Sequence, residues 1–144
     1  MSQYFDLGER TLWNPSNGAA RLFLGQVSVF EAELGLPSGI GPMREDECQI
    51  DSATLKLFVE ALLERHHRPS HAVMTALSEG ILATMLVLAE RADIKLTWPA
   101  DDRETDDTSR DLQVPGEASG SISACARLDK LRDASRELSR FMAR

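Results

Sequence analysis

Every histidine in the chain, His66, His67 and His71, falls within "ERHHRPSH". Imidazoles four positions apart, as His67 and His71 are, can share a zinc ion when they ride one unbroken helix. Here Pro69 stands between them and removes a backbone donor, no glutamate occupies the position a zinc hydrolase needs, and Arg68 sets a positive charge beside any cation. The cluster therefore reads as the joint between two helices, with no metal. His66 continues the apolar stripe of the helix before it and is expected as a half-buried ring closing the core.

Glu79, in "LSEGILA", lies in a segment otherwise apolar, where a carboxylate without a partner would have a raised pKa. Gly80 beside it would admit a ligand or a second backbone. The alternative is a structural ion pair, with Arg21 or Arg65 as the candidate cation, and it is favoured because such pairs also perturb pKa values. Trp13, in "TLWNPSNG", could stack on a ligand or anchor a partner, although a tryptophan so placed more often covers the end of a small core. Together Trp13, Arg21, His66 and Glu79 are the candidate binding residues, and none is assigned a catalytic role.

Other chemistries fare worse. Cys48 follows the acidic "REDE", the reverse of the positive surroundings that activate a thiol. The clustered carboxylates of that stretch lack calcium-loop spacing and are expected as a solvated loop. "PSGIGP" does not join a strand to a helix as a phosphate-cradling loop does.

The elements that must position these residues follow from hydrophobic period and breakers. "QYFDLGERTLW" alternates around a glycine turn, which predicts a short hairpin. Leu22, Phe23, Val27, Phe30 and Leu34 recur at helical spacing over residues 17–34, with Ser16 or Asn17 as cap and Gly35 and Pro37 as terminators. The glycine-rich "GLPSGIGPMREDECQID" is a loop ending in a short extended piece at "CQI". A second helix spans 51–67, opened by Asp51, and a third spans 70–92, opened by Ser70 and apolar nearly all round in its second half. "IKLTW", residues 94–98, predicts a strand that pairs with the hairpin.

Beyond residue 98 the composition changes. Residues 99–123 are acidic and poor in large apolar side chains, which predicts a flexible linker, and 124–144 predict an amphipathic helix with Leu128, Leu131, Leu138, Phe141 and Met142 in its stripe. The expected organisation is a mainly α domain over 1–98, with a three-helix core and a small β element, then the linker and a tethered helical arm.

The 144 residues suit one core, and the formal net charge of −7 argues against nucleic acid and anionic membrane surfaces. The opening "MSQYFDLGER" has neither the basic nor the apolar part of an export signal, and the longest apolar run is about half a bilayer span. A cytoplasmic location with reduced thiols is expected.

The stretches "YFDLGERTLWNPSNGAARLF" and "LPSGIGPMREDECQID" resemble the opening of a family of small uncharacterised actinobacterial proteins, classed as a domain of unknown function. The resemblance covers about residues 4–92 and implies a compact N-terminal unit in an actinobacterial cytoplasm, with no activity to carry over. The residues themselves favour a non-catalytic protein-binding accessory or regulatory module without a cofactor, one that neutralises a basic partner. The alternative is a small helical enzyme or ligand-binding protein with an interhelical pocket around Glu79. Because the third helix needs more cover than two helices and a hairpin supply, a homodimer is expected.

Overall fold

The computed structural model describes residues 2–68, 72–100 and 124–144, without the side chains of residues 124 and 125. Its elements run β1 (Tyr4–Leu7), β2 (Arg10–Trp13), α1 (Asn17–Leu34), β3 (Glu47–Gln49), α2 (Ser52–His67), α3 (Ala72–Arg91) and α4 (Ala124–Ser139). The mainly α architecture with an N-terminal hairpin and a C-terminal helix is as the sequence predicts. The caps are local and fall where expected. Ser16 accepts from the Ala19 amide at 3.4 Å, Asp51 from the Thr54 amide at 2.7 Å, and Gly35 ends α1 in the left-handed region at φ 65°.

β1 pairs antiparallel with β2 and parallel with β3, giving the order β2-β1-β3. The expected strand at 94–98 does not form. β3 takes the free edge of β1, and residues 94–98 instead lie extended over the helices. There the Lys95 carbonyl accepts from Lys56 Nζ at 2.8 Å and the Thr97 amide donates to Glu60 Oε1 at 2.7 Å. Alternation survives without a sheet: Ile94, Leu96 and Trp98 pack against the core, and the Arg132 guanidinium lies 4.1 Å from the centre of the Trp98 ring.

The loop before β3 is pinned rather than loose. Ser38, fully buried, donates from both its amide and its hydroxyl to Glu31 Oε1 at 2.8 and 2.6 Å. Gly39 then passes so close to α2 that a Cβ there would lie 2.6 Å from the Asp51 oxygen and the Leu55 nitrogen. The "REDE" stretch is a tight turn, with Glu45 and Asp46 left-handed at φ 50° and 68° and Arg44 bridged to Glu47.

One core joins the sheet to all four helices. Phe5, Trp13 and Phe23 form an aromatic trio with ring centroids 5.2 to 5.6 Å apart, and Leu55, Phe58, Val59 and Leu63 of α2 meet the second half of α3. α3 is long and apolar enough to cross a bilayer by length and composition, but from Ile81 to Ala89 only Thr84 is not buried. α4 lies along α3 and contributes Leu128 and Leu131 to the core, while Met142 follows from the tail. This helix ends at Ser139 rather than at the terminus, and Phe141, expected in its stripe, is 79% exposed. The tail turns back instead, and the Asn14 amide donates to the Ala143 carbonyl at 2.9 Å. The linker expectation falls almost wholly on residues 101–123, outside the described residues, as do Pro69, Ser70 and His71 of the helix joint.

Candidate functional site

α1 sets Ala20, Phe23 and Val27 inward, which leaves Leu22 and Val29 on its opposite face, 67% and 59% exposed. α3 is buried by α2 and α4 mainly in its second half. Its first half carries Val73, Met74 and Leu77 at 61%, 43% and 69% exposure. Between α1 and the first half of α3 lies a groove of about 730 Å³, floored by Phe30, Leu62, His66 and Leu82. Scattered exposed leucines are ordinary, but here the large apolar side chains of two neighbouring helices share one concavity.

Polar groups are few at this site. Arg65 of α2 reaches Glu33 of α1 at 3.1 Å and ties the two helices together, while the Ser78 hydroxyl donates back to the Met74 carbonyl at 2.9 Å. Arg21 and Gln26 stand at the α1 side. His66 is 4% exposed, and among the described residues its Nδ1 has no hydrogen-bond partner. Burial pushes its pKa below the ordinary 6.5; Glu79 opposes the shift and Arg127 adds to it.

Two of the four sequence candidates thus meet at the groove, Arg21 and His66. Trp13 does not. It is 8% exposed inside the aromatic trio, because β2 turns it onto Phe5 and Phe23. Glu79 points to the α4 side, where Lys130 lies 3.7 Å away, so its partner is neither Arg21 nor Arg65. The expected ion pair is right in kind and wrong in partner, since α4 supplies the cation. Cys48 is buried, donates to the Gly41 carbonyl at 3.1 Å, and has its thiol pushed up to about 11 by burial and then by Asp6, which leaves it unreactive at neutral pH.

Reading by residue chemistry passed over Val29, and it took Leu22, Met74 and Leu77 for core. A signal was present. Leu22 and Val29 are seven apart and do not share a helix face with Phe23 and Val27, so α1 has two apolar faces and one must be left over.

Comparison with known proteins adds a family and no activity. No curated protein and no solved structure matches the chain. The pattern of DUF6086, a family of unknown function, matches residues 1–144, and the chain belongs to that family. The match extends past the 4–92 over which the resemblance was drawn and takes in α4, the helix whose leucines complete the core.

Proposed function

We propose that this member of DUF6086 is a non-catalytic binding protein that engages a protein partner through the groove between α1 and α3. The observation that carries the reading is the exposure of Leu22, Val29, Met74 and Leu77 around one concavity, a surface whose burial would release bound water over several large side chains at once. Apolar contact dominates recognition. The charges at the groove are Arg21 and the paired Arg65 and Glu33, so nothing in it selects a basic partner, whatever the net charge of −7 does at longer range. A catalytic pocket around Glu79 has less support, because the groove wall runs through Ser78 while Glu79 faces Lys130.

Site-specific photo-crosslinking tests this. A photoreactive side chain placed at Leu22 or Leu77 should capture protein in the host cell. The same group at Leu57, 64% exposed on α2 and away from the groove, should capture little. Equal capture from Leu57, or none from either groove position, would remove the reading.

A further inference from the structure

We propose that the protein partner at this surface is a second copy of the chain, with α1 packed antiparallel on α1 of the other copy about a two-fold axis. The inference rests on the groove reading and names its occupant. The outward stripe of α1 is Gly18, Leu22, Gly25, Val29 and Ala32, all exposed and spaced four, three, four and three residues apart. That is the spacing of a helix–helix seam, and along it small and large residues alternate without a break.

Alternation of this kind restricts an antiparallel pair to registers that set small residues on large ones, and the one with its two-fold axis level with Val27 is proposed here. Set antiparallel with Val29 opposite Gly25, each copy fills the other's gap at the centre, and the next layer places Leu22 against Ala32. Small residues facing large ones allow close approach with neither void nor clash. A parallel pair would set Leu22 on Leu22 and Gly25 on Gly25, leaving a hole at each glycine. A partner of unrelated sequence would not require the stripe to complement a copy of itself.

The glycines are the second observation. A Cβ built on Gly18 or Gly25 meets no atom of the described residues within 4 Å, and both have ordinary negative φ. Neither a tight turn nor a contact among the described residues therefore requires glycine at either position. Gly25 sits in mid-helix, where only proline is less favourable. Gly80 of α3 has equally open surroundings, but it lies outside the groove wall.

Charge does not forbid this contact locally. The net charge of −7 opposes self-association at long range, but the face itself adds no uncancelled charge, with Arg21 and Glu33 at its margins. Antiparallel pairing places Gln26 beside Gln26 and Ser28 beside Ser28 at the centre. It also holds Arg21 about 20 Å along the axis from its own copy, and Glu33 likewise, well beyond the Debye length of about 8 Å. Met74 and Leu77 extend the apolar surface on the groove side of α1.

A swap experiment on the full chain decides the matter, with sedimentation equilibrium across a dilution series as the readout. Gly25→Val should overfill the central layer and Val29→Gly should empty it, each weakening dimerisation by about tenfold or more. The double variant rebuilds the layer with its sides exchanged and should return to within about threefold of the parent. Circular dichroism and urea midpoints at a concentration where all are monomeric keep folding defects apart from interface defects. A dimer that ignores all three changes, or a double variant no better than the singles, would overturn the inference. A chain that stays monomeric while Leu22 and Leu77 crosslink to a different protein would overturn it too, yet leave the groove reading standing. A monomer with no crosslinks would remove both.

Discussion

Arg91 holds three parts of the molecule together, and replacing it with methionine measures what that junction contributes. Its Nη1 donates to the Leu12 carbonyl at 2.6 Å, and its Nη2 to the carbonyls of Met142 at 2.7 Å and Ser139 at 3.1 Å, so one guanidinium joins β2, α3 and the C-terminal tail. Methionine keeps much of the stem and removes the donors. Hydrogen bonds to a charged group contribute about 1.5 to 3 kcal/mol each, and three would sum to more than 4 kcal/mol if they were independent. They are not, because the tail can lift into water and rehydrate two of the three carbonyls. The guanidinium is also partly desolvated: burial lowers its pKa, Arg144 adds to the effect, and Glu90 opposes it. A loss of about 3 kcal/mol is expected for Arg91→Met, read from urea unfolding and equivalent to roughly 10 °C in Tm for a chain of this size. Arg91→Lys, which can satisfy only one carbonyl well, should fall between the two. A loss below about 1 kcal/mol for Arg91→Met would show that water replaces the guanidinium at little cost and that Met142 packing and the Asn14–Ala143 hydrogen bond suffice to hold the tail.

Two further outcomes follow from the geometry. Gly39→Ala should cost about 3 kcal/mol or more, since φ is 79° and the new Cβ would meet backbone atoms at 2.6 Å, whereas Gly35→Ala, at φ 65° with open space around it, should cost about 1 kcal/mol; equal losses in urea titration would refute the close-approach argument. Because burial lowers the folded pKa of His66 below 6.5, the unfolded chain takes up that proton first, so the stability tied to the neutral ring is full above pH 6.5 and is lost as pH falls through the folded pKa. His66→Gln should flatten the acid-side decline below pH 6.5 measured by urea midpoints, and a decline as steep as the parent's would show that Glu79 offsets burial and that folding does not lower the ring's pKa.

Helix positions were legible in the sequence because what makes them is local. Ser16 reaches an amide three residues on, Asp51 does the same, and the left-handed turn at Gly35 lies within one step of the last apolar residue. Such contacts do not wait for the rest of the chain. The partnership at each face is another matter, since several segments compete for it and the winner is chosen by the whole packed arrangement. "IKLTW" has the alternation of a strand, but β3 joins the hairpin at β1 while Ile94, Leu96 and Trp98 turn to the helices instead. Trp13 could have anchored a partner until β2 laid it on Phe5 and Phe23, and Glu79 found Lys130 of α4 rather than Arg21 or Arg65. The groove belongs to the same class of outcome. Leu22, Val29 and Leu77 are apolar residues at helical spacing like those of the core, and periodicity assigns every such residue a face without saying which faces the chain has enough mass to cover. α2 and α4 bury the second half of α3 while Val73, Met74 and Leu77 of its first half stay exposed, and that uneven cover, a property of the tertiary packing alone, leaves the apolar surface open.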